Sequence, residues 1–163
     1  MKCHLFRLSL VLATVGLLSL AIPAPAQDAT KPIRLTGTHK TAEDLGGFPS
    51  TPTLRFTIYG EGTIGRFVQI ATVHFLWVGG EPAFAGPGTY LFEESSVIYV
   101  LGEDGGPTGD VIYLEAHGAD GPGILGANGG FRITGGEGVY EGACGNGGVQ
   151  DVYPGTYIGV IRK

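Results

Sequence analysis

Cysteine, tryptophan, methionine and positive charge are all scarce in this chain. Its 163 residues include 2 Cys, 1 Trp, 1 Met and 10 Lys plus Arg, against 15 Asp plus Glu. Lys2 and Arg7 precede an apolar run from Leu8 to Ile22, and Ala24-Pro25-Ala26 follows it. That order of charge, apolar stretch and small-residue pair is the pattern of a cleaved secretory leader. The expected organisation is a signal peptide over residues 1–26 and one folded domain over 27–163. The rival reading, an uncleaved anchor, needs the apolar run to span a bilayer, and the run lies near the lower length limit. Cleavage predicts an exported protein, periplasmic or extracellular, with no stable membrane insertion. It also removes Cys3 and leaves Cys144 alone. No intramolecular disulfide is then possible in a compartment that permits them, so the fold rests on its core. Cys144 is expected to be inert, with a link between two chains as the alternative.

The shortage of bases excludes a further class of partner. Without Lys2 and Arg7, 8 basic residues face 15 acidic ones and form no stripe, which argues against nucleic acid or an anionic membrane surface. No serine stands in a G-x-S-x-G setting, and Cys144 has no identifiable histidine partner, so neither nucleophile is signalled. Gly60-Glu61-Gly62-Thr63-Ile64-Gly65 matches G-x-G-x-x-G, but a dinucleotide site needs a helix after it. Arg66-Phe67-Val68-Gln69-Ile70 reads as strand instead. No cofactor is expected. The domain's histidines are His39, His74 and His117. Glu115 and His117 share a strand face, yet a two-residue pattern is weak grounds for a metal, and none is expected.

Helical periodicity with caps is absent as well. What is present is glycine, 30 residues of it, together with 43% hydrophobic residues, a composition that fits many strands joined by tight turns. Pro32 to Lys40 opens the series. Thr41 to Pro52, with Gly46-Gly47, Pro49 and Pro52, reads as a loop and a candidate lid. Thr53 to Tyr59 alternates Leu54, Phe56 and Ile58 against Arg55, Thr57 and Tyr59. The segment reaching Val78 puts Phe67, Ala71, Val73, Phe75 and Trp77 on one face and Val68, Ile70, Leu76 and Val78 on the other. A strand apolar on both faces is covered on both. Thr89 to Glu93, Ser96 to Leu101, Asp110 to His117, Phe131 to Thr134, Gly148 to Tyr153 and Thr156 to Arg162 follow, with Glu94-Ser95 read as an interruption and Gly79 to Gly88 as a turn. Glycines 135 to 145 bracket Tyr140, which suggests a compact corner plugged by that ring. Short sequential hairpins favour a meander closed into a barrel, which leaves no edge exposed, over a two-sheet sandwich.

Two stretches carry a family likeness: Ile64-Gly65-Arg66-Phe67, and Ile133-Thr134-Gly135-Gly136-Glu137-Gly138-Val139-Tyr140-Glu141-Gly142-Ala143-Cys144-Gly145. The chain resembles small exported bacterial proteins with an "LGRF" unit and a later "ITGGTGRFxGATG", a corner similar to that of the allene oxide cyclase and dirigent barrels. The resemblance implies an all-β domain with a single antiparallel eight-stranded barrel, often oligomeric, around a mostly apolar cavity. Glu137, Val139 and Cys144 depart from the motif. No catalytic residue of the cyclases matches a position here.

Tyr99, Tyr113, Glu115 and His117 form the candidate cavity face, because Tyr99 and Tyr113 sit on neighbouring strands and the last three share a face. Strand parity leaves open whether that face is the inside or the outside. Adjacent Glu93 and Glu94 must point to opposite faces, so one of them turns inward. Three functions fit: a barrel binding a small apolar ligand, a cyclase or isomerase assisted by an inward carboxylate, and a filled structural barrel whose apolar exterior contacts further copies.

Overall fold

In the computed structural model the described residues are 30–47, 51–80, 88–121, 124–151 and 155–163, with backbone alone at 77–80, 88–89, 120–121, 124–127 and 151. Residues 1–26, read from the sequence as a leader, lie outside them. Eight strands follow one another: β1 Lys31–Asp44, β2 Thr53–Gly62, β3 Gly65–Gly80, β4 Gly88–Leu101, β5 Pro107–Gly121, β6 Ile124–Glu137, β7 Cys144–Asp151 and β8 Gly155–Arg162. Each pairs antiparallel with its sequence neighbours, and β8 returns to β1 from Lys31↔Ile161 to Gly37↔Gly155, closing the barrel. The expected eight-stranded antiparallel barrel is the observed fold.

Period-two alternation selects the inner face. On β3 the buried positions are Phe67, Gln69, Ala71, Val73 and Phe75, and the intervening residues face out. On β4 the inward set is Tyr90, Phe92, Glu94, Ser96, Ile98 and Val100. Ile33, Leu35, Ile112, Leu114, Phe131, Ile133 and Ile161 complete a continuous core.

Glycines inside strands make room for rings in this narrow space. A Cβ at Gly147 would lie 2.6 Å from Phe131 Cε1, and one at Gly159 would lie 2.8 Å from Phe131 Cζ. Phe131 therefore occupies volume vacated by two neighbouring strands, which explains glycine in segments that turn propensity alone would assign to loops.

The glycine corner forms as the sequence suggests. β6 ends in a 3-10 turn over Gly138–Tyr140, with positive φ at Gly138 (63°) and Gly142 (72°). Tyr140 packs, partly buried, against the core. The Val139 N–H donates to Asp110 Oδ1 at 2.8 Å and ties the corner to β5.

Several boundaries differ from expectation. β1 continues through Thr41–Asp44, so the loop begins later than the sequence implies; its residues 48–50 are outside the described set. β4 runs unbroken through Glu94-Ser95, because Glu94↔Val73 and Glu94↔Ala116 keep its ladder on both sides. β6 starts at Ile124 and β7 at Cys144, where local glycine content hid strands held by pairing on both edges. Cys144 is half-buried at the start of β7. The side chains of Trp77 and Val78 and the turn at 81–87 lie outside the described residues.

Candidate functional site

The face holding Tyr99, Tyr113, Glu115 and His117 is the exterior. On β5 the inward residues are Ile112, Leu114 and Ala116, at 0%, 2% and 4% exposure, and parity sends the alternate residues out. Each of the four has an outer-face environment. Tyr99 is 37% exposed. The Tyr113 hydroxyl donates to Glu137 Oε1, and that hydrogen bond is the first cause of its raised pKa, ahead of burial and of the charge on Glu137. Glu115 pairs with Arg132 Nη2 at 2.6 Å in the open. His117 lies beside Gly130, its Cε1 3.8 Å from where a Cβ there would stand. The four are thus not a cavity lining. Glu115 and His117 instead border an open outer groove of about 570 Å³ with His74 and Glu93. His74↔Glu93 and Glu93↔His117 are cross-strand neighbours in that groove, and the His74 Nδ1 is hydrogen-bonded to Thr53 Oγ1 at 2.8 Å. Among the described residues no group of three His, Cys, Asp or Glu is arranged to hold a metal ion.

Chemistry turns inward at Glu94 instead. Its strand partner Glu93 faces out, as the alternation of adjacent acids demands. Glu94 is 8% exposed, and beside it lie Gln69 and Ser96 at 0% and 3%. Gln69 Nε2 donates toward Glu94 Oε1 at 2.9 Å, Ser96 Oγ at 2.9 Å and Tyr157 OH at 3.0 Å. The Tyr157 hydroxyl donates to both carboxyl oxygens of Glu94, at 2.9 and 3.1 Å, and the Ser96 hydroxyl donates to Oε1. The paired strands β3 and β4 and the sequence-distant β8 supply this cluster. Phe131 sets the Tyr157 ring edge-to-face, centroids 5.7 Å apart, so the hydroxyl is aimed across the barrel.

One polar atom in the cluster stays unmatched. Gln69 Oε1 is buried and has no hydrogen-bond partner among the described residues. A buried carbonyl left so costs about 1–3 kcal/mol, and native interiors seldom leave one unanswered. A cavity of about 20 Å³ adjoins Tyr157 and is bounded by His39, Ile58 and Val149. It is the size of one water. His39 stacks on Phe56 with centroids 4.8 Å apart. His39, Leu54 and Phe56 are only half-buried, although their strand positions face inward. This makes the β1–β2 wall the least sealed part of the described interior.

The sequence flagged Glu94 only as one of a pair, and it passed over Gln69, Ser96 and Tyr157. A glutamine on the otherwise apolar face of β3 was the available signal. Its partners are up to 88 residues away in sequence, so no local pattern joins them.

No protein-family model matches the chain, and no curated protein matches it significantly in sequence. Among solved structures it is similar to pyocyanin demethylase, with a TM-score of 0.51 at 15% identity, over 80% of this chain and 99% of that one. At that identity the likeness concerns the fold alone: the chain is an eight-stranded antiparallel barrel with a barrel-fold neighbour that is named as an enzyme.

Proposed function

We propose that this is an exported barrel that binds a small, largely apolar molecule in its interior, with the Glu94 cluster as the polar anchor. One observation carries the reading. A carboxyl and an amide oxygen lie in an apolar barrel, the first held by three side-chain donors and the second with an unused acceptor. Small-molecule sites are commonly built this way, as an apolar surround with a few placed polar groups. A guest bearing one N–H or O–H would satisfy Gln69 Oε1. Because the cavity there is only about 20 Å³, the guest would need the space now filled by the half-buried His39–Phe56 stack, and would enter by displacing it.

The barrel-fold neighbour bears an enzyme's name, which favours a second reading in which Glu94 also moves a proton on the bound molecule. His39, Tyr157 and Glu94 are groups suited to general acid–base work. Export rests on the leader pattern. Association with further copies is supported by an apolar strip on the outer face, where Tyr59↔Val68↔Tyr99 lie side by side across β2, β3 and β4.

Native mass spectrometry of the mature chain from its host's exported fraction tests the reading. A bound mass that survives gentle ionisation, and that is lost in Glu94→Gln, supports a ligand anchored at Glu94. A bare wild-type chain counts against resident ligand binding. The same spectrum reports the number of copies per particle and whether Cys144 joins two of them.

A further inference from the structure

Three of the domain's 8 bases gather at the end of the barrel where β1 begins and β8 finishes. Lys31, Arg162 and Lys163 border a pocket of about 430 Å³ there, together with Ile64, Val139 and Tyr140. No acidic side chain pairs with these cations among the described residues; the described ion pairs are Arg55–Glu43 and Arg132–Glu115, on other strands. Asp110, the acid whose charge acts on Tyr140, is itself engaged, accepting from the Val139 N–H at 2.8 Å and from Thr108 Oγ1 at 3.1 Å. The Lys163 ammonium stands over the Tyr140 ring, 5.8 Å from its centroid.

The same pocket also has apolar lining. Ile64 comes from the β2–β3 turn, and Val139 and Tyr140 from the glycine corner. Val139 is 52% exposed, an unusual setting for an aliphatic side chain beside a half-buried ring. Both wall elements belong to the two motif stretches of the sequence, so the units that cap this end of the barrel also build the pocket. The volume is within the range of small-molecule pockets. Cations without an acidic partner among the described residues, beside apolar lining, define an occupant with a matching division. Residues 27–163 hold 15 acids and 8 bases, so three cations on one rim are a local excess.

We propose that this end of the barrel is a second binding site, for a small organic anion with an apolar body, such as a medium-chain carboxylate. The head group lies among Lys31, Arg162 and Lys163, and the chain lies against Ile64, Val139 and Tyr140. The site is separate from the Glu94 cluster and does not depend on it.

The test uses the mature protein, decanoate as the probe and decanol as its uncharged counterpart, below the micelle concentration and at low salt. Amide chemical shifts give both affinity and place. Saturable binding of decanoate is expected, with the largest shifts at Ile64, Val139 and Tyr140. Decanol should bind at least tenfold more weakly. The double charge reversal Lys31→Glu/Arg162→Glu should weaken decanoate at least tenfold, while Arg132→Glu, on the outer face of β6, should leave it unchanged. Salt at 0.5 M should weaken it severalfold, since exposed charges are screened at that strength. Val139→Ser, a neutral change at an exposed position, should weaken it through the wall alone. No saturation at millimolar decanoate, equal binding of decanol, indifference to the charge reversal, or shifts confined to Ser96 and Tyr157 would each overturn the proposal. The last outcome would assign the anion to the barrel interior instead.

Discussion

Tyr157→Phe is the sharpest probe of the buried cluster, because it deletes one oxygen and keeps the ring. The ring retains its edge-to-face contact with Phe131. The missing hydroxyl removes a donor to both oxygens of Glu94 and an acceptor for Gln69 Nε2. Deleting it forfeits a net hydrogen bond of about 0.5–1.5 kcal/mol and leaves buried partners unsatisfied at about 1–3 kcal/mol. The adjoining cavity of about 20 Å³ has room for a water that restores part of this, which lowers the expected loss to about 1–3 kcal/mol. For a domain of this size each kcal/mol shifts the midpoint of thermal unfolding by about 3–6 °C. Urea unfolding followed by circular dichroism should show a lower midpoint concentration with an unchanged slope, since no surface area of folding is altered. The same substitution in a Glu94→Gln background should cost less, giving a coupling energy of about 1–2 kcal/mol between the two sites. A Tyr157→Phe loss below about 0.5 kcal/mol, with zero coupling, would refute the cluster as described. It would mean that the hydroxyl, the amide and the carboxyl do not form one network in solution.

Gly147→Ala should destabilise the barrel by about 1–3 kcal/mol, the usual scale of overpacking, since the new Cβ meets Phe131 and the backbone of β8. Phe131→Leu added to it should recover part of the loss in the same urea assay, because one of the two clashes is with that ring. Tyr140 has its pKa raised above 10.0, first by burial and then by the charge of Asp110. The folded state therefore keeps this proton while the unfolded state loses it, so the stabilisation is complete below pH 10 and is lost as pH climbs through the folded value. Tyr140→Phe should flatten the fall in stability above pH 10, and an unchanged fall would place its cause elsewhere. Arg132→Ala should cost under about 1 kcal/mol, as expected of an exposed pair, and the difference should vanish in high salt; a larger, salt-independent loss would show a packing role for the arginine stem.

Much of the barrel is legible in the chain because alternation is a local property. Phe67, Val73 and Phe75 all face inward because they stand an even number of residues apart, and the glycine corner follows from the left-handed conformations at Gly138 and Gly142. That one of Glu93 and Glu94 must turn inward is likewise a matter of sequence. Strand extent was less legible. Phe131 needs glycine at 147 and 159, so the residues that look like loop are strand that accommodates a ring from elsewhere. Which face of a strand becomes the interior is a property of closure, not of parity. That is why Tyr99, Tyr113, Glu115 and His117 share a face legibly and yet lie outside. The meeting of Gln69, Glu94, Ser96 and Tyr157 was decided only by the tertiary structure. The β8–β1 seam brings the end of the chain back to its start, and the pleat then turns polar side chains of the paired strands β3 and β4 and of the distant β8 into one apolar space.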